Sequence, residues 1–122
     1  RRHPEIAWNL LPESLYDGGE LTVLQTVLLK SSCSRVETGG YLVYATCSLS
    51  NSENQQVIDD FLASSEGSDF EVQNLYECPA RVVLTSEAQE FLDTCITPEG
   101  FLQTAFASAD CDAHFMAVLK RK

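Results

Sequence analysis

No run of about 18 apolar residues occurs, so no membrane-crossing helix is expected, and no charged-then-apolar leader opens the chain. Methionine is nearly absent: the only one is Met116 and the first residue is Arg1, so the sequence reads as a fragment or processed product of a longer protein. No two cysteines form a Cys-x-x-Cys pair. Cys33, Cys47, Cys78, Cys95 and Cys111 are widely spaced and odd in number, which argues against a zinc site and a disulfide scaffold and suits a reducing cytoplasm. His3 and His114, the two histidines, have no spaced Cys or carboxylate set beside them, so no metal site is expected. Basic residues are scarce. Eight Lys and Arg stand against 18 Asp and Glu, a net charge of -10. Affinity for nucleic-acid phosphate comes mainly from Lys and Arg, so the chain is a poor unaided nucleic-acid binder. Its basic residues sit mostly at the two ends, and any RNA contact needs basic surface from other chain or from where those ends meet.

What is present suits one small domain: 122 residues, 44% hydrophobic, with no internal repeat or low-complexity tract. Residues 1–20 read as an ordered loop around Pro4, Pro12 and Gly18–Gly19. Leu21, Val23, Leu24, Val27 and Leu28 recur at helical spacing, with Lys30 near the favourable end of the helix dipole, predicting a helix over about Leu21–Ser34. Tyr41–Thr46 is β-branched, aromatic and apolar after the Gly39–Gly40 turn, which predicts a strand buried on both faces of a parallel sheet. Ser50-x-x-Glu53 reads as a capping box opening a helix to about Ser64, with Val57, Ile58, Phe61 and Leu62 as its apolar stripe. Phe70–Val72 alternates as a short strand. Ser86-x-x-Gln89 reads as a second capping box, for a helix ending near Thr94. Phe101–Ala105 and Phe115–Leu119 read as the last strands. Helices alternating with strands give an α/β fold.

Cys47 follows the buried strand and precedes the helix begun by Ser50–Glu53. Ligand sites in open α/β sheets lie outside such carboxyl strand ends. A free cysteine is more often a small buried apolar residue, and that is the reading for Cys33, Cys78, Cys95 and Cys111. For Cys47 the flanking sequence decides otherwise. Gly39-Gly40-Tyr41-Leu42-Val43-Tyr44-Ala45-Thr46-Cys47-Ser48-Leu49, followed by Glu53-Asn54 and Phe61-Leu62, resembles the second cysteine motif of the Sun/Fmu-type RNA (cytosine-5)-methyltransferase family. Three weaker stretches agree in order: Arg1-Arg2-His3-Pro4 with Trp8, then Leu24-Gln25 with Leu28-Leu29, then Asp112-Ala113-His114-Phe115. The last departs from the family's Asp-Gly-Phe-Phe. The family's Asp-Ala-Pro-Cys segment and glycine-rich cofactor loop, which precede the Arg-Arg stretch, are absent from this sequence.

The resemblance implies the C-terminal portion of a Rossmann-like methyltransferase sheet. Residues 1–122 would then be one subdomain of about three strands, with Tyr41–Thr46 the fifth strand, Phe70–Asn74 the sixth and Phe115–Leu119 the seventh, antiparallel between them. One edge of Tyr41–Thr46 would lack a partner, and a long apolar edge invites pairing, so a homodimer or swapped arrangement through it is expected. The resemblance further implies methylation of cytosine C5 in rRNA or tRNA by the intact enzyme, with S-adenosylmethionine as methyl donor and Cys47 as nucleophile. Cytosine C5 is a weak nucleophile; a thiolate adding to C6 pushes electron density onto it, and the base must first leave its stack. No cofactor-binding residue is expected in this sequence, and the chain alone is expected to be inactive. Arg1 and Arg2 are candidate RNA contacts, against the plainer reading of solvated terminal charges. Glu53 is explained by its cap. Two other function classes stay open: a non-catalytic binding or assembly module, which sequence upstream of Arg1 would discriminate, and a cysteine hydrolase, which needs His3 or His114 beside Cys47.

Overall fold

The computed structural model describes residues 19–105 and 111–122. Arg1, Arg2, His3 and the loop expected over residues 1–20 lie, apart from its last two residues, outside that range. Helix α1 spans Gly19–Cys33, strand β1 Tyr41–Thr46, helix α2 Gln55–Leu62, strand β2 Phe70–Val72, helix α3 Ser86–Cys95, strand β3 Leu102–Thr104 and strand β4 His114–Arg121. Short 3-10 turns cover Asn51–Glu53, Leu75–Glu77 and Pro79–Val83.

β4 is the centre of the sheet. It runs antiparallel between β1 and β2, so these two are parallel to each other across it. That is the arrangement expected for the fifth, seventh and sixth strands of a methyltransferase sheet. β1 pairs with β4 from Tyr41↔Lys120 to Thr46↔Phe115. The other edge of β4 is shared: β2 pairs near its end, Phe70↔Arg121, and β3 near its start, Thr104↔His114. The sheet has four strands where the resemblance implied about three; the fourth, β3, falls within the strand read over Phe101–Ala105. Gly39, in the turn just before β1, has φ 79°, a conformation L side chains resist, and its N–H donates to the Arg121 carbonyl at 2.8 Å, fixing the register.

Strand alternation splits β4 into two sets of side chains. Phe115, Ala117 and Leu119 are buried against Val57, Ile58 and Phe61 of α2 and Leu29 and Cys33 of α1. Tilted aromatic contacts bind this core together, Phe61–Phe70 at 5.6 Å and Phe101–Phe115 at 5.4 Å between ring centroids. On the other set, Met116 pairs with Leu102 of β3 and lines a cavity that Leu92 of α3 and Ile96 after it also line.

Three local expectations are corrected. β1 is not buried on both faces: Leu42 and Tyr44 pack on the core, while Tyr41 and Val43 remain 50% and 56% exposed. Its neighbour is antiparallel, and no described element covers the outer face. Ser50 and Glu53 form no capping box, because Ser50 Oγ bonds Ser52 and the Glu53 carboxylate accepts the Ser48 hydroxyl. The cap of α3 is Thr85, not Ser86: Thr85 Oγ1 accepts the Ala88 N–H at 3.2 Å, while Gln89 donates to the Arg81 and Leu84 carbonyls. Helix α1 forms as expected, yet of its described side chains only Leu29 and Cys33 are buried; Leu21, Val23, Leu24, Val27 and Leu28 are exposed.

Candidate active site

β1 ends at Thr46, and the chain then turns sharply into α2. Polar side chains hold that turn. Thr46 Oγ1 donates to Asn54 Oδ1 and accepts the Ser48 N–H at 3.2 Å. Asn54 Nδ2 donates to the Ser48 carbonyl at 2.8 Å, and Ser48 Oγ donates to Glu53 and accepts the Ser50 N–H at 3.1 Å. Ser48, Glu53 and Asn54 are all buried. Polar groups buried in this way are tolerated because each is hydrogen-bonded. Inside this frame Tyr44 donates to the Glu53 carbonyl at 2.6 Å. Burial, then the Glu53 charge, pushes the Tyr44 phenol up to about 12.

The braced residues flank Cys47, whose side chain is exposed. It lies at the carboxyl end of β1, on the rim of a cleft of about 530 Å³ that runs along β1 beside α1. Gln25, Leu28, Leu42, Tyr44 and Glu53 are among its walls, and no described lining residue is Lys or Arg. Cys47 Sγ lies 3.7 Å from His114 Nδ1. Sequence reasoning set His114 aside as a ligand and kept it only for a hydrolase reading; 67 positions separate the two residues, so no spacing signal could join them.

Other expected residues are placed elsewhere. Cys33 and Cys95 are buried, Cys78 and Cys111 partly so, and none of the five cysteines is in a disulfide. Among the described residues no His, Cys, Asp and Glu cluster could hold a metal ion, and no helix is long and apolar enough to cross a membrane. The basic tail does not gather at Cys47. The antiparallel register puts Lys120 beside Tyr41, the far end of β1 from Thr46, roughly 20 Å away at strand rise. Lys30, Arg81 and Arg121 are engaged by Glu66, Asp93 and Asp69. The carboxylate in the cleft wall, Glu53, is buried and accepts the Ser48 hydroxyl, and the Gly39–Gly40 turn lies at the opposite end of β1.

Comparison with known proteins agrees with the topology. The family model described as 16S rRNA methyltransferase RsmB/F matches residues 1–120. Ribosomal RNA small subunit methyltransferase F of Salmonella heidelberg (strain SL476) is 29% identical over 121 residues, 99% of this chain and 22% of that protein. Ribosomal RNA small subunit methyltransferase B of Klebsiella pneumoniae (strain 342) is 44% identical over 63 residues, 52% of this chain and 14% of that protein. The crystal structure of a methyltransferase homolog protein from Pyrococcus horikoshii shares the fold with TM-score 0.58 and 24% identity, over 83% of this chain and 31% of that one. The chain thus spans about a fifth of the length of the relative it matches end to end. With a strand order of β1-β4-β2 and a family match over nearly its whole length, the chain belongs to the RsmB/F family of 16S rRNA methyltransferases.

Proposed function

We propose that this chain is the C-terminal subdomain of an enzyme that methylates cytosine C5 in rRNA, or in tRNA, and that Cys47 is its nucleophile. The observation that carries the reading is the placement of Cys47: an exposed thiol at the carboxyl end of a strand, on a turn whose buried neighbours Ser48, Glu53 and Asn54 hold it rigidly at a cleft. Sulfur adds to C6 of a flipped base, and the C5=C6 electron pair moves onto C5, turning a weak carbon nucleophile into a strong one. The braced turn keeps the sulfur fixed for that attack, which is the positional part of the catalysis. S-adenosylmethionine is the methyl donor of the intact enzyme in this reading, held by parts of the parent protein beyond this chain. Phosphate neutralisation belongs there as well, because the described cleft wall carries no Lys or Arg. Arg1 and Arg2 remain proposed RNA contacts.

In the full-length parent enzyme, Cys47→Ser is expected to abolish turnover, a loss of at least about a thousandfold since a hydroxyl is a far weaker nucleophile than a thiolate, with folding unchanged by circular dichroism. Wild-type activity in that variant sinks the assignment. The chain alone, mixed with RNA and labelled cofactor, is expected to transfer no methyl group.

A further inference from the structure

We propose that His114 takes the proton of the Cys47 thiol as the sulfur adds to C6, so that the two side chains work as a pair. The inference rests on the reading of Cys47 as nucleophile and adds a residue to it. Three observations carry it. His114 Nδ1 is 3.7 Å from Cys47 Sγ, a loose contact of the kind that tightens once substrate is bound. The contact is built by the sheet. Thr46 faces Phe115 across β1 and β4, so the next positions outward are Cys47 and His114, and strand alternation turns both away from the core that holds Phe115. The backbone of His114 is also anchored: its amide N–H donates to Thr104 Oγ1 at 3.0 Å, and that hydroxyl donates to the Asp112 carbonyl at 2.7 Å. Thr104 is buried, so the anchor is fixed on one side while the imidazole stays exposed on the other.

The step balances within this chain and the base. With its proton on Nε2, the neutral imidazole of His114 accepts at Nδ1. The S–H bond breaks and its proton goes to Nδ1. A sulfur electron pair forms the S–C6 bond, and the C5=C6 pair moves onto C5. Before methyl transfer the addition reverses by the same path: the pair on C5 re-forms the double bond, the S–C6 bond breaks with its pair going to sulfur, and the imidazolium returns the proton to sulfur. After methyl transfer the pair that re-forms the double bond is that of the C5–H bond, whose proton must leave to a base before sulfur can depart. The family pattern has phenylalanine at this position of Asp112-Ala113-His114-Phe115, so the pairing belongs to this chain and does not come with the fold.

The test is alkylation of the wild-type chain, His114→Asn and His114→Phe by iodoacetamide, with modification at Cys47 and at Cys78 followed separately by mass spectrometry. Asparagine retains hydrogen bonding but takes no proton, and phenylalanine retains the ring. The titratable groups on the elements around the pair are Tyr44 on β1, Glu53 after it, and Cys111 and Asp112 before β4, with Tyr41, Lys120 and Arg121 at the far end of the two strands. All of them are retained in both variants. Near pH 7.5, modification of Cys47 is expected to slow at least about tenfold in both variants, as thiolate supply falls. The gap should close by about pH 10, where hydroxide removes the thiol proton unaided. Cys78 should react equally in all three proteins. Equal Cys47 rates near neutral pH, or a gap that persists at high pH, overturn the pairing. Either result leaves the nucleophile itself standing, since that is decided by Cys47→Ser in the parent enzyme.

Discussion

Asn54 is 2% exposed and uses both ends of its amide, accepting from Thr46 and donating to the Ser48 carbonyl. Truncating it leaves the buried Ser48 carbonyl and the half-buried Thr46 hydroxyl each without this partner, and an unsatisfied buried group costs about 1–3 kcal/mol. Asn54→Ala is therefore expected to lower stability by about 2–4 kcal/mol in urea titration and to loosen the turn that presents Cys47. A loss below about 1 kcal/mol would show that the turn stands without this amide. Tyr44 gives a pH signature. Its folded-state value is raised to about 12, above the ordinary tyrosine value of about 10. The stabilisation is thus fully present below pH about 10 and is lost as pH rises toward about 12, because the unfolded chain releases the proton first. Thermal melts between those limits should fall faster for the wild type than for Tyr44→Phe; parallel curves would refute the assignment.

Helix α3 tests which residue caps a helix. Thr85 has extended backbone angles and its hydroxyl accepts the Ala88 N–H, whereas Ser86 is already the first helical residue. Thr85→Ala should cost about 1 kcal/mol and Ser86→Ala almost nothing, both read by chemical denaturation. The reverse ranking would restore the capping box seen in the sequence. Spacing found the right turn but not the right cap, because a Ser-x-x-Gln pattern does not report which residue leaves the helical region of φ and ψ. The same limit applies at Ser50, where Ser48 engages Glu53 first. Strands were more legible. Tyr41–Thr46 and Phe70–Val72 match the apolar runs residue for residue, since β-branched and aromatic runs bounded by turn residues leave few alternatives.

Among the described residues, more than half of the exposed large apolar side chains belong to α1 and the edge strand β1. Five leucines and valines of α1, with Tyr41 and Val43 of β1, remain exposed. β4 takes one edge of β1, and among the described residues nothing pairs with the other. Such an edge is a template for another strand. In the parent enzyme the resemblance gives that place to an upstream strand; for this chain alone a second copy is the proposed occupant. Light scattering coupled to size-exclusion chromatography should show a dimer fraction that grows with concentration. A clean monomer at high concentration would remove the proposal.

Local chemistry in the sequence was enough to set the α/β pattern and the extent of β1 and β2, because strand periodicity and flanking turn residues act over a few positions. Tertiary structure decided the rest: which face of β1 is covered, which strand lies in the middle, and which residue meets the sulfur. These depend on the register between β1 and β4. Hydrogen bonds between two distant stretches of chain set that register, and it brings His114 to Cys47 across 67 positions.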